Sequence, residues 1–232
     1  MNSPLQEQNE RYRRHFQSLA SDQREEKNAA ELAVGGDFER IGKIEFEILR
    51  KFGLETHHSV VDIGCGSGRL ASCLAEIHEG PYLGTDVVPE LLEHARTLVK
   101  RENWRFEIVE GLVVPMEDDN VDFACFFSVF THLLHEQTFR YLKETRRVLK
   151  TGGKLIFSFL EFRIPSHWAI FEGNLQVEDT PHLNMFIDRH AIEAWADHLE
   201  LKVEAILDGD KPQVEAYKNR DSLGQSVCVL RK

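Results

Sequence analysis

Apolar positions recur along this chain in two rhythms. Short β-branched or aromatic runs alternate with stretches in which apolar residues return every third or fourth position. The first rhythm predicts strands at 59–63, 82–85, 105–109, 122–128, 154–160, 202–207 and 226–230. The second predicts helices over 5–20, 38–52, 69–79, 89–101, 135–149 and 188–199. Ile41, Ile44, Ile48 and Phe52 share one face of the second helix; Tyr12, Phe16 and Leu19 share one face of the first. Asp37 reads as an N-cap, Pro89 as a helix start and Thr151-Gly152-Gly153 as a helix end. Residues 208–225 read as polar loop, 161–187 as an irregular aromatic-rich insert and 21–28 as the nearest thing to a linker. Strands alternating with helices mean βαβ units and a mostly parallel sheet. The last two strands have no helix between them, so the final strand can return antiparallel.

The chemistry concentrates where the first sheet strand ends. Residues 60–68 read Val-Val-Asp-Ile-Gly-Cys-Gly-Ser-Gly, followed by a helical stretch. Glycines let a backbone approach a ligand where a Cβ would collide. A dinucleotide fingerprint needs a further glycine at position 69, which is Arg69, and it has no acid at Asp62. The frame instead closely resembles the first motif of the class I S-adenosylmethionine-dependent methyltransferases. The match runs motif by motif over residues 58–160 and by element order over 188–232.

That resemblance implies a Rossmann-like α/β fold with helices on both faces of a seven-stranded sheet. The implied strand order is 3-2-1-4-5-7-6, with strand seven reversed. It implies S-adenosylmethionine as cofactor, held by Asp62, Gly64, Cys65, Gly66 and Gly68 at the glycine turn. Asp86, 22 residues after Gly64, can take both ribose hydroxyls, with Val87 against the purine. Glu110-Gly111-Leu112 can meet the adenine edge, and Ser128 and Val129 the amino-acid end. Leu149-Lys150-Thr151-Gly152-Gly153 is similar to the Leu-Lys-Pro-Gly-Gly segment of the small-molecule methyltransferase group. The Asn/Asp-Pro-Pro-Tyr motif of base and amide N-methylation is absent.

Methyl transfer is mostly a matter of positioning. A hydroxyl acceptor also gains from a base, and histidine suits that role near neutral pH. His132, just after strand four, is the candidate base. His135, His167, Trp168, Phe171 and Phe186 are candidate acceptor contacts, and His182 a further lid residue. No spacing calls for a metal.

The 232 residues suffice for one α/β domain: a methyltransferase domain over 38–232, with 1–37 as a helical cap and 161–187 as a substrate lid. A net charge of −11 speaks against a nucleic-acid partner, and the cluster Arg11, Arg13, Arg14 reads as a solvated face. No apolar run approaches the ~20 residues that span a bilayer, so the expectation is a cytoplasmic protein off the membrane. The four scattered cysteines read as reduced thiols. The expected activity is methylation of a small molecule, at a sugar or phenol-like hydroxyl. The rivals are an S-adenosylmethionine-binding scaffold or regulator without catalysis, and an NAD-dependent oxidoreductase. Oligomeric state is not encoded in any pattern seen here.

Overall fold

The computed structural model describes residues 4–22, 37–177, 183–216 and 220–232. Helix α1 is Pro4–Asp22 and α2 is Phe38–Lys51, whose N-cap Asp37 accepts the Arg40 amide. Strands and helices then alternate: β1 (Val60–Ile63), α3 (Arg69–Ala75), β2 (Tyr82–Asp86), α4 (Pro89–Val99), β3 (Arg105–Ile108) and β4 (Val121–Phe126). A 3-10 turn, Phe130–His132, leads into α5 (His135–Val148), β5 (Leu149–Phe159), α6 (Pro165–Asn174), α7 (Arg189–His198) and β6 (Lys202–Leu207). A two-stranded ribbon, β7 (Val214–Glu215) and β8 (Arg220–Asp221), precedes β9 (Ser226–Arg231).

The main sheet runs β3-β2-β1-β4-β5-β9-β6. Its first five strands are parallel, and β9 lies antiparallel between β5 and β6. Because the ribbon takes two labels, β9 is the seventh strand of the sheet, and the order is the one the sequence implied. β1 and β4 are buried almost throughout, as central strands covered on both faces must be. One core lies between the sheet and α2, α3 and α4, built on Ile44, Leu70 and Leu92. The other lies under α5 and α7, built on Phe130, Leu142 and Ile192. No helix among the described residues is long and apolar enough to cross a membrane.

Three local expectations are corrected. The 161–187 insert is not irregular throughout: Pro165 opens α6, with only His167 of that helix buried. Its apolar residues point all round, so it has no stripe for periodicity to find. The 208–225 stretch contains the β7–β8 ribbon. Thr151-Gly152-Gly153 does not end α5, which stops at Val148; these residues already belong to β5, whose register against β4 shifts between Val121 and Phe123.

Candidate functional site

The site sits at the carboxyl ends of β1, β2 and β4, where the strand order reverses. The turn after β1 is tied to β2, since the amides of Gly64 and Cys65 both donate to the Thr85 carbonyl, at 2.7 and 2.9 Å. Gly64 has φ +72°, and a Cβ on it would lie 2.4 Å from a Val129 methyl. That close approach brings the turn against the loop after β4. Gly68, at φ +87°, caps α3, and a Cβ there would strike Ala95 of α4. It serves helix packing and lies outside the cavity lining, whereas the family resemblance implied a place at the cofactor.

One cavity of about 560 Å³ opens above this junction. Of the implied cofactor residues, Asp62, Gly64, Cys65, Gly66, Asp86, Val87, Glu110, Gly111, Ser128 and Val129 line it; Gly68 and Leu112 do not. Leu112 instead packs against the core under α5.

Asp86 is buried, and both its oxygens already hold backbone amides: Oδ2 takes Gly66 N–H at 3.0 Å and Oδ1 takes Val88 N–H at 2.9 Å. A carboxylate oxygen has two lone pairs, so each can still accept from a ribose hydroxyl. Burial pushes its pKa up, opposed by those amides. Asp62, 3% exposed, accepts from the Tyr82 hydroxyl at 2.9 Å and from the Cys125 thiol at 3.6 Å. Burial, with Glu45 adding repulsion, lifts its pKa to about 7.

At the β4 end of the cavity, Ser128 has φ +60°, uncommon for a residue with a side chain. Its amide donates to Ser158 Oγ at 2.7 Å, Ser158 donates to Gln225 Oε1 at 2.7 Å, and Gln225 Nε2 donates to Ser128 Oγ at 3.1 Å. This closed ring fixes the side chains of Ser128 and Gln225 on the cavity wall. His132 lines the same end. Its Nδ1 lies 2.7 Å from the Leu183 carbonyl, so Nδ1 donates in that contact.

The other candidate acceptor contacts lie outside the lining. His167 is wholly buried; its Nδ1 accepts the Glu161 amide and its Nε2 donates to the Gly224 carbonyl. His135 Nε2 donates to the Phe186 carbonyl at 3.0 Å. Trp168, 43% exposed, joins Phe162, Phe171 and Phe186 in an aromatic cluster, with Phe162 stacked on Phe186 at 4.6 Å. The insert reaches the cavity through Ile170 and Asn184 instead. His182 lies outside the described residues.

Sequence reasoning missed further lining residues. Glu45 and Arg69 form a buried pair at 2.5 Å on the cavity wall. Tyr12 and Asn9 come from α1, and Tyr141 donates to the Gly111 carbonyl at 3.0 Å. Burial, with Asp86 nearby, raises the Tyr141 pKa to about 12. Arg13 is not a solvated cation: its Nε donates to the Val87 carbonyl at 2.8 Å and its guanidinium meets Glu110 at 2.6 Å.

Residues 61–157 match the family model of a methyltransferase domain. The segment is a class I S-adenosylmethionine-dependent methyltransferase domain. The methyltransferase GfsG of Streptomyces halstedii is 26% identical over 121 residues, which are 50% of this chain and 43% of that protein. The ubiquinone biosynthesis O-methyltransferase of Coxiella burnetii is 24% identical over 177 residues, 73% of each. Thus the chain spans less than half of the first relative and 73% of the second. Among solved structures, magnesium protoporphyrin IX methyltransferase from Synechocystis, with bound S-adenosylhomocysteine, superposes with TM-score 0.64 at 15% identity, covering 96% of this chain and 93% of that one. A Methanosarcina mazei S-adenosylmethionine-dependent methyltransferase gives 0.63 at 17%, covering 79% and 96%. At such identities the structural likeness concerns the fold.

S-adenosylmethionine is the cofactor of the methyltransferase domain, and the residues present fit it. Asp86 offers lone pairs for the ribose diol. Val87, Glu110 and Gly111 line the cavity on the β2–β3 side, and Asp62, Glu45 and Arg69 line it beside the glycine turn.

Proposed function

We propose that the protein methylates a small-molecule acceptor on oxygen, at a sugar- or phenol-like hydroxyl. The observation that carries this reading is the continuity of the cavity. One space runs from Asp86 and Glu110 to a second set of walls made by Leu160, Ile170, Asn184, His132 and Gln225. That second set joins the apolar Leu160 and Ile170 to the polar Asn184, His132 and Gln225, a mixture that can orient a small molecule. The lining carries Glu45, Asp62, Asp86 and Glu110 against the single guanidinium of Arg69. Such a wall disfavours anionic acceptors, including nucleic-acid backbone, and suits neutral hydroxyls. The ubiquinone biosynthesis O-methyltransferase among the relatives points the same way.

The cofactor supplies an electrophilic methyl carbon on a positive sulfonium. Ser128 and Gln225, fixed by their ring of hydrogen bonds, orient the acceptor toward it. With that cofactor bound, His132 would accept the proton that the acceptor hydroxyl loses on methylation. The proton then passes to solvent. Residues 4–22 form the cap over this cavity, Ile170 and Asn184 serve as the lid, and the rest is the methyltransferase unit.

The test is incubation with methyl-labelled S-adenosylmethionine and a panel of phenols, sugars, amines and carboxylic acids. Label on a hydroxyl oxygen is the expected result. Label confined to nitrogen or carboxylate acceptors would overturn the oxygen assignment, and none on any small molecule would return the protein to a binding role.

A further inference from the structure

The wall at the glycine-turn end carries more negative charge than its hydrogen bonds require. Glu45 projects from α2, which approaches α3 so closely that a Cβ at Gly42 would lie 2.7 Å from the Arg69 carbonyl. This seats Glu45, 2% exposed, against Arg69 with contacts of 2.5 and 3.3 Å. Asp62, beside it, has among the described residues only neutral side-chain donors, Tyr82 and Cys125. Asp86 is held by backbone amides. Three buried carboxylates therefore line this end with one buried guanidinium.

We propose that Glu45 makes the cavity read the charge of its cofactor, favouring the sulfonium cation over the neutral product and linking cation binding to release of a proton. Buried charge without a counter-charge is costly, and a protein relieves the cost by keeping a proton. Asp62 does so, with its pKa at about 7, and burial also raises those of Glu45 and Asp86. The charged and titratable groups around Asp62 are Glu45 from α2, Arg69 from α3, Cys65 from the turn, Tyr82 from β2 and Cys125 from β4. Tyr12 from α1 and Asp86 complete the wall.

S-adenosylmethionine carries a sulfonium and an ammonium against one carboxylate, so its net charge is +1. S-adenosylhomocysteine lacks the sulfonium charge and is neutral overall. The cation can stand in for the proton on Asp62; the neutral product does so less well. Once the methyl has left, the excess negative charge reappears, and Asp62 regains its proton as the product departs. Glu45 is thus a specificity residue for the cofactor's charge state. It needs no contact with the reacting atoms.

Calorimetric titration of the full chain with each ligand tests this, in paired buffers of different ionisation enthalpy. The dissociation constant for S-adenosylmethionine should fall about tenfold between pH 6 and pH 8, the effect of one group near 7 that must ionise. That for S-adenosylhomocysteine should change by less than about threefold, and it should release fewer protons at pH 7. The amino group is common to both ligands, so its own titration cancels in their ratio. Glu45→Gln keeps a hydrogen-bond partner for Arg69 and removes the charge, so both the preference and its pH dependence should shrink. Should that variant not fold, the wild-type proton counts decide alone. Equal proton release and parallel pH profiles for the two ligands would overturn the proposal, as would a folded Glu45→Gln with the wild-type profile. Binding of neither ligand would remove the cofactor assignment and this inference together.

Discussion

Asp86 Oδ2 accepts the Gly66 amide at 3.0 Å, so the acid ending β2 and the middle of the glycine turn move as one unit. Asp86→Ala should therefore act on the fold and on the cofactor. Two buried amides lose their partner, at about 1–3 kcal/mol each. Losing two hydrogen bonds to a charged group should weaken S-adenosylmethionine by about 100-fold or more. Denaturant titration and calorimetry read the two effects separately. Wild-type affinity in a folded variant would place the ribose elsewhere.

Asp62→Asn should stabilise the ligand-free protein at alkaline pH. The Asp62 pKa rises on folding from 3.8 to about 7. The folded state thus binds the extra proton between these values, and stability falls as pH rises through that window. Above pH 7 the whole cost is present, and the neutral asparagine escapes it. The melting temperature of the variant should exceed that of the wild type at pH 8 and approach it near pH 4. A variant less stable than wild type at pH 8 would contradict the assignment of a strained carboxylate.

His132→Ala should reduce turnover by about 10²–10⁴-fold if it serves as general base. Affinity for S-adenosylhomocysteine should remain within about threefold of wild type, since the cofactor groups named above are untouched. Turnover unchanged in the variant would assign the proton to another group.

Arg13→Ala should speed cofactor escape. The side chain ties α1 to the Val87 carbonyl and to Glu110 at the wall of the cavity. The ion pair is half exposed, so the expected loss is modest, about three- to tenfold in off-rate. Stopped-flow displacement of bound S-adenosylhomocysteine measures it. An unaltered off-rate would show that α1 does not gate the site.

His167→Ala should lower stability before it touches chemistry. Both ring nitrogens are spent inside the protein, on the Glu161 amide and the Gly224 carbonyl. Leaving those groups unsatisfied costs about 1–3 kcal/mol each. Chemical denaturation should show the loss, while kcat/KM per folded molecule stays near that of wild type. A drop in kcat/KM with unchanged stability would restore the acceptor-contact role that its position in the insert had suggested.

The sheet order and the cavity lining at the glycine turn, Asp86 and Glu110 were legible because each depends on contiguous sequence. Val60 to Gly68 spells a strand, a turn and a helix start, Asp86 ends β2 and Glu110 follows the end of β3 by two residues. The lining at Ser128 and Gln225 was not, because its parts are brought together by tertiary structure. Gln225 lies 97 residues from Ser128, with no local pattern to join them. Trp168 and Phe171 looked like pocket walls by composition, yet the helix they sit on turns Ile170 inward instead. Glu45 was within reach. It is the one charge on the stripe Ile41, Ile44, Ile48, Leu49 and Phe52, and a charge on a core-facing stripe must find a buried partner. Arg13 was not, since nothing in the run of residues 11–14 says which arginine faces inward.

Residues 183–187 are stitched to the body at several points. The Met185 amide donates to the Thr131 carbonyl, the Ile187 amide to Leu160, and the carbonyls of Leu183 and Phe186 meet His132 and His135. Leu160, just past β5, and Leu183, bonded to the 3-10 turn at His132, are therefore fixed posts at either end of the insert. It has the form of an exchangeable cassette. Replacing it with an insert of different length or lining would recast the wall that Ile170 lends the cavity, while the posts keep His132 in place. A lineage, or an engineer, could thus reshape the pocket without reopening its core.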